Sequence, residues 1–195
     1  MPTGVALGDA REQLFDAAER ILARDGASAL TSRSVTDEAG CAKGVLHRHF
    51  VDFDGFLAGL VVSRIERLQG LSIVLLDAAG TGSVTGNLAD LLTELFDPVA
   101  VAIVALITFR ATLRERLRVR TSVGVPLMQE ATAVVAEYLT IERNLGRVAV
   151  GAEIDALAPA VVGTGHLLFA DRSSGPVGSD EVRFSIEAVL GGVVR

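Results

Sequence analysis

The sequence predicts an all-α fold of about nine helices: a three-helix module over residues 1–52, then a larger helical domain over 53–195. Three observations carry this. Apolar residues recur three and four apart in successive segments, the spacing of one helix face. No segment sustains apolar–polar alternation between turn signals, and Val148-Ala149-Val150 is the only strand-like piece. Two short helical segments near the N-terminus meet at a tight turn containing Gly40, the pattern of a helix-turn-helix.

The elements follow in order. Residues 1–8 read as a frayed start. From Asp9 the stripe Leu14, Ala17, Ala18, Ile21, Leu22 marks the first helix. It stops at Asp25-Gly26, where Gly26 takes the left-handed position past the last turn. Thr31 opens the second helix as its N-cap, with Leu30 and Val35 spaced to close as a hydrophobic staple. That helix ends at Ala39-Gly40. The third runs from near Ala42 to Phe50, with Leu46 and Phe50 turned to the core and Lys43, His47 and Arg48 outward. A longer helix from Asp54 carries Phe56, Leu57, Leu60, Val61, Ile65 and Leu68, extending to Leu76. The glycine-rich stretch 79–86 breaks it. Further helices are expected over 87–96, 98–118, 125–145, 155–170 and 179–190. Pro98 and Pro126 suit first-turn positions. Gly146, Gly151 and the run 173–178 read as connectors.

Composition narrows the function classes. Half of the 195 residues are apolar, so a large core is available and disorder is disfavoured. No apolar run approaches the ~20 residues of a bilayer span, and residues 1–13 lack the pattern of a secretory signal. No membrane association is expected. The single cysteine, Cys41, excludes an internal disulfide and fits a reducing, cytoplasmic location. It sits at an apolar position in the turn, where packing is the expected role. Three histidines and one cysteine do not suggest a metal site, and no cofactor is expected. Catalysis finds no support: there is no nucleophile elbow, phosphate loop or zinc-binding His pair. Of the nearby acids Glu153 and Asp155, a capping role is expected. Net charge is −6, and all but one of the 18 basic residues are arginine, Lys43 being the exception.

The segment Thr31–Phe50, TSRSVTDEAGCAKGVLHRHF, resembles the DNA-binding motif of the tetracycline-repressor (TetR) family. That motif usually closes on Ala-Gly, an apolar residue, Ser, Lys, Gly or Pro, a small and an aliphatic residue, Tyr, any residue, His or Tyr, and Phe. Here it reads Ala39, Gly40, Cys41, Ala42, Lys43, Gly44, Val45, Leu46, His47, Arg48, His49, Phe50. The resemblance covers roughly residues 9–60; beyond it only length and helical layout agree. Three departures stand out. Ala42 replaces the usual Ser and its cap, worth ~1 kcal/mol. His47 replaces Tyr. After Phe50, Val51-Asp52-Phe53-Asp54 brings two carboxylates where the family often carries a lysine near a phosphate, which bears on DNA affinity rather than on fold.

The resemblance implies a homodimeric regulator, most simply a repressor. It would read a palindromic double-stranded DNA operator and leave it when a small-molecule effector of unknown identity enters the C-terminal effector-binding and dimerisation domain. Lys43 is expected at a phosphate or guanine edge, with Gly44 letting the backbone approach the duplex and Val45 meeting a thymine methyl. His47 and Arg48 are phosphate or base candidates. Thr31, Ser32 and Arg33, opening the supporting helix, suit one phosphate. His49 is expected in a buried joint. Residues 1–52 carry more acids than bases, so modest affinity with steep salt dependence is expected.

For the effector the candidates are Phe96, Phe109, Leu113, Met128, Tyr138, His166 and Phe169, apolar walls with a few polar tips. The basic run Arg110, Arg114, Arg116, Arg118 and Arg120 reads as a solvated face paired with acids such as Glu115, or as an anion contact. The apolar stretches 156–170 and 182–194 suit a four-helix dimer interface. The competing reading is a dimeric helical ligand-binding protein whose DNA-binding head has degenerated.

Overall fold

The computed structural model describes residues 7–119, 124–170, 175 and 177–195, with side chains from residue 10 onward. The described residues form ten α-helices and a short 3-10 turn; the ladder-type pairing among them is one isolated bridge between Val148 and Val194. The strand-like scrap in the sequence is therefore one bridge, made by the Ala149 N–H to the Val193 carbonyl and the Arg195 N–H to the Arg147 carbonyl.

Helix α1 spans Leu7–Asp25. Its stripe of Leu14, Ala17, Ala18, Ile21 and Leu22 is buried, as the spacing predicts. Gly26 ends it with φ +78° and ψ −177°, a region essentially reserved for glycine, and its N–H donates to Ile21 and Leu22 carbonyls. After a 3-10 turn over Ala27–Ala29, α2 runs Ser32–Glu38. Thr31 caps it as expected, in a reciprocal box: the Thr31 hydroxyl accepts from the Ser34 N–H, and the Ser34 hydroxyl accepts from the Thr31 N–H. Gly40, at φ +64°, lets the Cys41 N–H reach back to the Thr36 carbonyl, and this closes α2 and turns the chain into α3, Gly44–His49.

Helix α4, Phe53–Asp77, is long enough to serve two cores. Its first half places Phe56, Leu57, Leu60 and Val61 with Leu14, Leu22, Leu30, Val35, Leu46 and Phe50. Its second half gives Leu68 and Leu75 to the core of the helical body. Helices α5 (Val84–Leu95), α6 (Pro98–Phe109), α7 (Ala111–Leu117), α8 (Met128–Asn144), α9 (Ile154–Ala170) and α10 (Ser179–Leu190) complete the body. Ser83 and Asp97 cap α5 and α6, and Pro98 opens α6 as the sequence predicts. Helix α8 lies on α9, and α10 on α5 and α9. The N-terminal core does not stop at residue 52: Ile103, Ile107, Leu113 and Leu117 from α6 and α7 belong to it. Among the described residues no single helix is long and apolar enough to cross a membrane.

Two helices differ from the sequence reading. The single helix expected over 98–118 is two, because Arg110 adopts φ −110° and ψ 99° and turns the chain. This turn lets Leu113 and Leu117 reach the N-terminal core, while Phe109 is left 85% exposed. The helix expected from 125 begins at Met128. Leu127 is buried at φ +72°, held there as its N–H donates to the Glu130 carboxylate, and Pro126 therefore precedes the helix instead of opening it.

Candidate nucleic-acid interface

The six-residue helix α3 is anchored from below by two apolar side chains. Leu46 is fully buried and Phe50 packs its ring against Phe15 and Phe56 at 5.7 and 5.2 Å. Burying side chains of this size stabilises the anchor by roughly 1.5–3 kcal/mol each. The opposite face is open: Lys43, Gly44, His47 and Arg48 are exposed and Val45 is half-buried. Helix α3 starts without a side-chain cap; its N-cap position is Lys43, one residue beyond the Ala42 expected from the sequence. Thr31 and Arg33 are exposed and Ser32 half-buried at the start of α2. The Thr31 hydroxyl is committed to its capping box.

The cations of the module divide into two groups. Arg20 and Arg24 both reach Glu38, at 2.9 and 3.1 Å, and hold its carboxyl below the usual range; Arg33 pairs with Asp37 at 3.5 Å. Arg11 stacks over the Phe50 ring at 4.9 Å. Among the described residues Lys43 and Arg48 have no acidic partner. The module carries an excess of acid overall, yet its cations without an acidic partner among the described residues, Arg11 aside, stand at α3.

The two carboxylates after Phe50 are both engaged by other residues of the chain. Asp52 caps α4 by accepting from the Gly55 N–H at 2.8 Å and also accepts from Arg116. The amide, then the guanidinium, hold its carboxyl below its ordinary value. Asp54 takes Arg110 at 2.9 Å and the Thr112 hydroxyl at 2.7 Å. Of the basic run, Arg110 and Arg116 are thus paired from the start of α4, and Arg114 donates to the Thr108 carbonyl; among the described residues none of them pairs with Glu115, and Arg120 lies outside the described residues. A second link, which sequence reasoning missed, centres on Arg64. It is 93% buried from its 7% exposure, with Asp97 at 2.6 Å and Glu19 at 3.5 Å, so it joins α1, α4 and the cap of α6. Arg67 also reaches Glu19, at 2.9 Å. A lone arginine on an apolar helix stripe was the one sequence signal for it.

The effector candidates fall into three places. Phe96 is buried against the His166 ring at 5.6 Å and the Phe169 ring at 6.4 Å. Burial lowers the His166 pKa, and its Nδ1 is buried with no hydrogen-bond partner among the described residues. Met128 and Tyr138 join the same core, the Tyr138 hydroxyl accepting from the Asn87 amide at 2.9 Å. Burial, then the neighbouring Glu142 carboxylate, raise the Tyr138 pKa. Leu113 lies in the other core and Phe109 on the surface, so the break at Arg110 separates both from the group around Phe96. Cys41 is half-buried against the N-terminal core, and burial pushes its thiol up.

Residues 14–58 match the family model of the bacterial regulatory proteins, tetR family. No curated protein matches the chain. Among solved structures, a TetR-family transcriptional regulator from Agrobacterium tumefaciens superposes with a TM-score of 0.73 at 12% identity, over 97% of this chain and 100% of that one. The ketosteroid transcriptional regulator KstR2 of Mycobacterium tuberculosis gives 0.63 at 21% identity, over 95% of each chain. The transcriptional regulator FadR from Bacillus subtilis, solved in complex with stearoyl-CoA, gives 0.66 at 17% identity, over 93% of this chain and 98% of that one. At these identities the likeness is one of fold. Residues 14–58 are thus similar to the tetR family of bacterial regulatory proteins, and the chain has the fold of TetR-family regulators.

Proposed function

We propose that the chain is a ligand-responsive transcriptional regulator, most simply a repressor, that binds a palindromic operator as a homodimer and leaves it when a small molecule enters the helical body. The observation that carries this is the charge pattern of the helix-turn-helix. Every other arginine of the module has an acidic or aromatic partner, whereas Lys43, the N-cap of α3, and Arg48 on it are exposed and have no acidic partner among the described residues. Cations left free on a helix standing out from the surface suit phosphate and base edges in a major groove. Thr31, Ser32 and Arg33 would steady the same duplex through one phosphate, with Gly44, Val45 and His47 at the groove. The ground for a degenerated head was the carboxylate pair after Phe50. Both carboxylates are occupied internally, by Arg116 and Arg110, so they place little free negative charge before the duplex.

A two-fold operator needs a two-fold protein. Helices α9 and α10 pack together and leave Leu167 and Phe184 each 72% exposed. Large apolar side chains on adjacent helices suit a second copy of the same pair. We place the effector against Phe96, His166 and Phe169, with Met128 and Tyr138 behind them, where a buried imidazole nitrogen has no hydrogen-bond partner among the described residues and apolar side chains lie beside it. The stearoyl-CoA held by FadR on this fold supports a body that accommodates ligands. Helix α4, which serves both cores, would carry the coupling; an effector shifts occupancy only through different affinities for the bound and released conformations. The test is an anisotropy titration of the full chain against the intergenic duplex upstream of its own gene, at low salt. Saturable binding at a palindrome within it is expected, and no binding there removes the proposal.

A further inference from the structure

Beyond the proposed effector position in the body, a separate open cleft of about 450 Å³ lies where α1, the α3–α4 joint and α7 converge. Arg11, His49 and Arg116 bring the polar groups to it, while Phe50, Val51 and Val119 give it apolar walls; among the described residues no acid is in its lining. The floor is α4 at Gly55, Ala58 and Gly59. The approach there is close: a Cβ on Gly59 would come within 3.1 Å of the Phe15 and Phe50 rings. Arg116 is already bound to Asp52. Arg11 is not, since its guanidinium rests over Phe50 and meets no carboxylate among the described residues. The cleft therefore offers one uncompensated positive charge beside apolar surface.

We propose that this cleft is a second ligand site, for a small amphipathic acid whose carboxylate meets Arg11 and whose apolar body lies along Phe50, Val51 and Val119. The chemistry of the walls selects this occupant. A guanidinium paired with a carboxylate forms a charge-assisted hydrogen bond, and the apolar walls add burial of hydrocarbon. A DNA phosphate would satisfy the charge alone, because a sugar–phosphate backbone has no apolar body to cover Phe50 and Val119. A neutral lipid chain would satisfy the walls alone and leave Arg11 unused. Because the cleft takes walls from the DNA-binding module and from α7, an occupant would touch both.

Calorimetric titration of the full chain with octanoate, and with octanol as the uncharged chain of equal length, tests this. Octanoate is expected to bind saturably and octanol about tenfold more weakly or worse. Arg11→Gln removes the charge, and Val51→Asp places a carboxylate at the rim on a residue 92% exposed, where folding is not at stake. Each is expected to weaken octanoate about tenfold while circular dichroism stays unchanged. Four results overturn the proposal. They are no octanoate binding, equal binding of octanoate and octanol, and wild-type octanoate affinity in both variants, which would move the site into the body. The fourth is an Arg11→Gln effect on duplex binding alone, which would make Arg11 a phosphate anchor.

Discussion

Asp54 holds the Arg110 guanidinium at 2.9 Å, joining the first turn of α4 to the break between α6 and α7. The same carboxylate takes the Thr112 hydroxyl, so both sides of the break are fixed from the helix that follows the helix-turn-helix module. The pair is partly exposed, which limits its worth to about 1 kcal/mol. Asp54→Asn and Arg110→Gln should each lower stability by about that much, and the double variant by clearly less than their sum. Urea denaturation of the four proteins measures the coupling; strict additivity would mean that the two residues do not act together.

Asp52 does two jobs, capping α4 and binding Arg116. Asp52→Asn keeps an acceptor for the Gly55 N–H and loses the ion pair, whereas Asp52→Ala loses both, so the melting temperature should fall further for alanine. The sign of the pH effect follows from a carboxyl held below its ordinary value. Its stabilisation is present above the ordinary carboxylate range and is lost as pH falls through the lowered folded pKa. Acid melting curves of wild type and Asp52→Asn should converge toward the bottom of that range.

His166 has the opposite chemistry. Burial disfavours its charged form, so its folded pKa lies below the ordinary 6.5. The unfolded chain then binds the proton more readily, and stability declines as pH falls below 6.5 toward the folded value. His166→Gln should flatten this part of the melting-temperature profile between neutral and mildly acidic pH. A variant profile that keeps the full slope would assign it to other groups.

Phe184 tests the dimer. Phe184→Asp puts a charge on the exposed face of α10 without entering the core. Sedimentation should show a monomer for the variant and a dimer for wild type, with unchanged helicity. A variant that remains dimeric would place the two-fold contact elsewhere.

Much of this fold was legible because local rules and burial agree. The stripe from Leu14 to Leu22, the stop at Gly26, the cap at Thr31 and the anchors Leu46 and Phe50 all follow from spacing and residue type. The outward placement of Lys43, His47 and Arg48 follows from those anchors. What stayed hidden depends on partners far along the chain. Asp52 and Asp54 read as an unfavourable substitution because Arg116 and Arg110 lie 64 and 56 residues away. The break at Arg110 was invisible because periodicity continues through it; only the pull of the N-terminal core on Leu113 and Leu117 turns the chain. Phe109 and Leu113 were grouped with Phe96 for the same reason. Arg64 hides within an apolar stripe, and only the convergence of Glu19 and Asp97 explains its burial.

The most direct test of the account is the salt dependence of duplex binding by wild type and by the Lys43→Ala, Arg48→Ala double variant. Stability should change by less than about 0.5 kcal/mol, since neither side chain is packed. Each phosphate contact contributes about 0.9 to the slope of log K against log salt, so losing two from each protomer of a dimer should flatten it by about three to four. A double variant that binds with wild-type affinity and slope would show that α3 does not face the nucleic acid.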